Sequence, residues 1–154
     1  MDFQASAVKL LEGAVRLMTA DLEAMPEAMF SRHFGGKART VADIVYEVML
    51  VNDHVGRTIR GDELFEWPEG GWITAPESFA GKDHILAQFK ESCDKIVATG
   101  KSLSEADLLS NVTTEHGETS RFERCQFIAL HMWYHSGQFN YMQTLAGDDG
   151  WHWG

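Results

Sequence analysis

His131 and His135 stand four residues apart in ALHMWYHSGQFNYMQ (129–143), a stretch without Asp, Glu, Lys or Arg. On a helix, residues i and i+4 lie on one face, so the two rings point the same way. Neutral imidazoles are good ligands for Zn, Ni, Fe or Cu, and this spacing lets both reach one ion. Ile128, Gln138, Met142 and Leu145 share the face, which turns the pair toward a core. Position 132 is Met132, so the glutamate that activates water in an HExxH motif is missing. Glu-x-x-His occurs nowhere in the chain, which argues against a di-iron carboxylate bundle. Two hydrogen-bonded core histidines would share this spacing, so the metal reading turns on a third ligand.

A second segment offers two candidates. Glu47 falls among Ile44, Val48 and Val51 on a helical wheel, where an unpaired carboxylate is costly. His54 follows seven residues later on nearly the same face, two turns or about 10.5 Å away. One ion cannot take both, so either Glu47 or His54 completes the site. Three protein ligands leave a coordination position open, which is the pattern of catalytic metals. Such an ion lowers the pKa of a bound water or thiol. Of the polar residues nearby, Asn52, Tyr134, Gln138 and Asn140, the best placed is Gln138, one turn beyond His135. Tyr134 fits a packing role with a satisfied hydroxyl.

Four helices must position these groups. The first spans about residues 4–24, with Phe3, Leu10, Leu11, Ala14, Leu17, Met18 and Leu22 at three- and four-residue spacing. Thr40 is placed to cap the second, whose stripe is Ile44, Val48, Val51, Val55 and Ile59 and whose end is Gly61. The third runs from about Lys82 to Thr99, and SEADLL (104–109) adds a short turn. Ser120 and Glu123 form a capping-box pattern for the fourth, which continues to about Ala146. No strand pattern stands out. The expected fold is all-α: one domain over 1–154, a four-helix bundle with a long connection between the second and third helices. That connection, residues 61–81, holds two of three prolines, four glycines, Trp67 and Trp72. Connections this long usually serve function, and its tryptophans argue for an ordered one.

The formal charge of −10 would repel phosphate backbones, and no Lys/Arg cluster offsets it, so nucleic-acid binding is not expected. No apolar run approaches the length of a membrane span. The first residues lack the basic region of a signal peptide, and a cytoplasmic location is the expectation. Cys93 and Cys125, far apart and outside any CxxC spacing, read as small buried residues or free thiols. Trp67, Trp72 and the GDDGWHWG tail offer apolar surface suited to a homodimer. The tail is expected to dock on the bundle or on a partner subunit.

Two segments resemble the DinB-like family of metal-binding four-helix bundles. RTVADIVYEVMLVND (39–53) is similar to its second helix, where a Ser/Thr cap precedes the first ligand by about seven residues. LHMWYHSGQFNYMQTLAGD (130–148) is similar to its last helix, with an H-x-x-x-H pair, then a small residue, Gln and a Leu-x-Gly-type ending. The resemblance implies that His131 and His135 are metal ligands. Counting from Thr40 puts Glu47 where the family usually has a histidine, which leaves three readings: Glu47 is the third ligand, His54 has taken the role with a register offset, or the site has degenerated and is empty. The implied cofactor is a divalent transition metal (Zn, Ni, Mn or Fe). Some family members use low-molecular-weight thiols as transferases or isomerases. The implied function is therefore a metal-dependent S-transferase or isomerase acting on a small electrophile. A metal-dependent hydrolase and a non-catalytic metal-binding or dimeric structural bundle are the alternatives.

Overall fold

A computed structural model describes residues 2–154. Helix α1 (Phe3–Ala24) starts at Asp2, whose side chain accepts from the Ala5 amide, and buries Ala7, Leu11, Ala14, Met18 and Leu22. Pro26 ends the run and leads into a 3-10 turn, Glu27–Met29. Helix α2 (Val41–Arg60) opens on a complete capping box between Thr40 and Asp43 and closes at Gly61. Gly61 has φ +77°, a left-handed conformation that costs glycine little. Helix α3 (Lys82–Ser102) follows the long connection, and the short α4 (Glu105–Leu109) is capped by Ser104. Helix α5 (Arg121–Leu145) is the longest and has the Ser120–Glu123 capping box.

The absence of strands expected from sequence is corrected by a hairpin. Strand β1 (Asn111–Thr114) pairs antiparallel with β2 (Gly117–Ser120), with Thr114 opposite Gly117 and Asn111 opposite Ser120. Val112, Thr113 and Thr114 have β-branched side chains, and Gly117, at φ +107°, completes the turn after Glu115 and His116. Four-residue strands with largely exposed side chains are too short for an alternating pattern to show in sequence.

The chain is mostly helical, and its long helices enclose one core. Helix α1 packs on α5 and α3, and α2 packs on α3 and α5. The largest buried side chains, among them Phe89, Phe139, Leu11, Met18 and Ile44, come from all four. Helices α1 and α3 meet closely at Gly100, where a Cβ would sit 2.9 Å from Leu11 Cδ1. Among the described residues, no helix is long and apolar enough to cross a membrane.

The connection after Gly61 is anchored differently from the expectation. Ile73 and Phe79 are its buried residues, and the Ala75 amide donates to Asp43 Oδ1 (2.8 Å). Trp67 and Trp72 lie at the surface against other side chains. The tail docks on the same chain: Trp153 Nε1 donates to Asp21 Oδ1 (2.9 Å), and Arg16 reaches the Trp153 carbonyl. Trp151 remains exposed.

Candidate metal centre

Helices α2 and α5 cross with Glu47, His131 and His135 facing one another. Their ligand atoms all lie within 4.8 Å of each other. The two Nε2 atoms are 3.1 Å apart, and each is 3.5 Å from Glu47 Oε1. A tetrahedral ion bound at about 2.1 Å needs ligand atoms about 3.4 Å apart, so this triangle fits one transition-metal ion. These three residues can hold a metal ion.

Neighbouring groups set the orientation of each ligand. His135 is buried, and its Nδ1 lies 2.8 Å from Gln138 Oε1. An amide oxygen only accepts, so Nδ1 carries the proton and Nε2 presents its lone pair toward Glu47 and His131. Burial pushes the His131 pKa down to about 4, and the adjacent His135 adds to the effect. Burial also lowers the His135 pKa. Both rings are therefore neutral at physiological pH, the state a metal requires. Glu47, only 13% exposed, gives its second oxygen, Oε2, to the equally sheltered Arg39 guanidinium. That pairing offsets the cost of placing a carboxylate among Ile44, Val48 and Val51. Arg39 in turn lies 4.4 Å over the Trp72 ring, tying the long connection to the site.

Of the two candidates for third ligand, the structure brings Glu47 to the histidines. His54 lies elsewhere: its ring packs edge-on against Phe65 (5.1 Å) and Trp67 (5.5 Å). Gln138 reaches the site through His135. Tyr134 is exposed and leans its ring edge-on against His135 at 5.0 Å. Asn140 donates to the Ser136 carbonyl, and Asn52 lies near Ser92 between α2 and α3.

Two clefts adjoin the triad. One, of about 700 Å³, is lined by Arg39, Trp72, Tyr134, Gln138, Tyr141 and Phe34. The other, of about 550 Å³, contains His54, Phe65, Trp67 and Phe127. Phe127 stacks on His131 at 6.0 Å and so connects this cleft to the histidine pair. Arg39 is the site residue that sequence reasoning missed. Its signal was Glu47 itself, since a buried carboxylate on an apolar stripe needs a cation, and Arg39 lies eight positions upstream.

A scan against protein-family models found no match, and a search of curated proteins found none either.

Proposed function

We propose that this chain is a metal-dependent enzyme of the DinB-like kind, a four-helix bundle that uses an external low-molecular-weight thiol against a small electrophile. The ring of helix contacts, α1 with α5, α5 with α2, α2 with α3 and α3 with α1, supports the bundle reading. The observation that carries the functional reading is the convergence of Glu47 Oε1 with the Nε2 atoms of His131 and His135. Zn, Ni, Mn and Fe all suit such a mixed imidazole–carboxylate set. When bound, the ion would supply the charge that keeps a thiol deprotonated near neutral pH.

The chain's own groups favour thiol chemistry over hydrolysis. Hydrolysis calls for a free base beside the site, and the two carboxylates on this part of α2 are committed. Glu47 is held by Arg39, and Asp43 accepts from Thr40 and from the Ala75 amide. The thiol has to come from outside the chain. Cys93 and Cys125 are buried, and burial pushes their pKa values up to about 12 and about 11. Gln138 keeps the His135 ring turned, while Arg39 and Trp72 shape the cleft where small molecules would enter.

The test begins with elemental analysis of protein purified without a histidine tag. About one transition-metal ion per chain is expected, with loss in His135→Ala. The metal-loaded protein is then assayed with low-molecular-weight thiols paired with epoxides, maleyl compounds and aryl halides, beside simple esters and amides. Turnover that needs thiol and is lost in His131→Ala is the expected result. Metal-dependent ester hydrolysis indifferent to thiol would establish the hydrolase instead. Metal binding without any turnover would leave a binding module.

A further inference from the structure

Helix α5 turns an apolar face to solvent, and the other long helices do not. Among the described residues, α1, α2 and α3 leave no large hydrophobic side chain exposed. Their outer faces carry charges such as Glu12, Asp53 and Lys90. From residue 125 to residue 147 the chain has no Asp, Glu, Lys or Arg. Leu130, Tyr134, Tyr141 and Leu145 are each at least half exposed, and their spacing of four, seven and four puts them on one stripe of α5. Gly137 lies exposed in the middle of that stripe. A Cβ there would meet nothing within 4 Å, so no contact inside this chain calls for glycine at a position where it weakens a helix. The order Leu-x3-Tyr-x6-Tyr-x3-Leu reads the same in both directions about the Gly137–Gln138 peptide.

We infer that two copies of this chain pair antiparallel along α5, about a twofold axis beside Gly137 and Gln138, so that Tyr134 of one protomer meets Tyr141 of its partner and Leu130 meets Leu145. A twofold interface brings residue i to residue j and j to i, and the palindromic stripe makes each of these pairs like with like. Gly137 at the crossing lets the two backbones come close. The antiparallel sense also turns Arg121 and Arg124, at the start of α5, towards Asp148 and Asp149 beyond its end, while Glu123 is occupied by the Ser120 cap. A parallel pair would set like charges together at both ends. The area suffices: at about 150–250 Å² per aromatic side chain, the stripe with the adjoining Phe127 and Trp72 exposes on the order of 600 Å² per copy, or about 1,200 Å² in the pair, where stable interfaces begin. A bilayer fits less well, because a helix lying on one flanks its apolar face with Lys and Arg, and α5 has neither after Arg124. Between two chains of charge −10, the uncharged face is where contact costs least. Tyr134 and Tyr141 also line the cleft of about 700 Å³ beside the triad, so each cleft gains an outer wall from the partner. The pairing rests on the outer face of α5 and not on metal binding.

Light scattering reads the stoichiometry and cross-linking reads the register. The full chain at tens of micromolar should give twice the chain mass. Gly137→Glu, at an exposed position with room around it, should keep the helical circular dichroism and weaken self-association by about a hundredfold, because it sets two carboxylates side by side at the axis. Leu130→Cys and Leu145→Cys, refolded together and oxidised with diamide, should form a covalent dimer that neither variant forms alone, since the two positions lie about 22 Å apart along one helix. Cys93 and Cys125 are buried and do not compete. A monomeric parent chain would overturn the inference, and so would a mixture that fails to cross-link. A cross-link in Leu130→Cys alone would establish parallel pairing, and a folded Gly137→Glu that dimerises as the parent does would place the interface elsewhere; either result overturns it. Should Gly137→Glu lose its helicity, the cysteine pair decides, because it leaves the centre of the stripe untouched.

Discussion

Arg39 holds Oε2 of Glu47 and leaves Oε1 3.5 Å from the Nε2 atoms of both His131 and His135. The carboxylate is thus divided between a fixed cation and a ligand position. Glu47 can serve a metal while sheltered from water because half of its acceptor capacity is already met. A histidine in its place would have nothing to offer Arg39.

Glu47→Gln is expected to lower metal affinity by at least about a hundredfold, because it removes the anionic ligand. His54→Ala should leave metal content unchanged, since His54 lies against Phe65 and Trp67. Gln138→Ala, which frees the His135 ring, should cost roughly 10–100-fold in affinity. Competition titration with a chromophoric chelator measures all three. Metal lost in His54→Ala and kept in Glu47→Gln would reverse the ligand assignment.

Arg39→Met leaves Glu47 in an apolar setting without its cation. The metal-free variant should lose about 3 kcal/mol of stability, as when one partner of a buried pair is deleted. Saturating metal should recover part of that loss, because the ion then supplies the missing positive charge. Arg39→Lys should recover less than its charge alone implies, since lysine lacks the planar face that stacks on Trp72. Urea unfolding with and without metal measures these effects, and an Arg39→Met variant as stable as the parent would contradict them.

Asp21 is completely buried, and that burial raises its carboxyl pKa above the ordinary value. The folded state therefore holds this proton more tightly than the unfolded chain does. The stabilisation is fully present below the unfolded pKa of 3.8 and is lost as pH rises through the raised folded value. Asp21→Asn keeps an oxygen for Trp153 Nε1 and removes the buried charge. It should be more stable than the parent at neutral pH by on the order of 1 kcal/mol, roughly 2–4 °C in Tm. Its stability should also fall less between pH 4 and 7. Thermal melts across that range decide the matter, and a variant less stable at neutral pH would count against it.

A homodimer is expected from the apolar side chains left at the surface. Trp72, Tyr134, Tyr141, Leu130 and Trp151 are all more than half exposed. Trp153 is spoken for by Asp21, so the dimer face should centre on α5 and the Trp72 region rather than on the whole tail. Light scattering at tens of micromolar should give twice the chain mass, and Leu130→Glu should shift it toward the monomer. A monomer in the parent protein would remove the idea.

What was legible in the sequence was local. Thr40, Gly61, Ser120 and Glu123 mark helix ends because capping depends on neighbours within three or four positions. The histidine pair and Glu47 stand out because helical spacing alone fixes the face on which they lie. The choice between Glu47 and His54 was not available, because it depends on how far α2 slides along α5. Asp21 and Trp153 are separated by 132 residues, and nothing near either names the other. Arg39 precedes the cap of α2, so no helical period relates it to Glu47. The second cleft combines a surface connection, a four-residue strand pair and a helix face, none of which carries a long-range sequence signature.

Ser120 is at once the final residue of β2 and the cap of α5. Its amide and hydroxyl are bonded to Glu123 in the first turn of that helix, and the Arg121 amide donates back to the Ser110 carbonyl. The hairpin is therefore a rigid extension of the helix that carries His131 and His135. It cannot swing away from the aromatic cleft without unwinding the first turn of α5. The opposite wall, formed by residues 64, 65 and 67, has no regular structure. Hydrogen exchange should find the paired amides from Asn111 to Ser120 slow and those of residues 62–72 fast. Any movement that widens the cleft then falls to the side of Phe65 and Trp67, and the hairpin serves as a fixed doorpost.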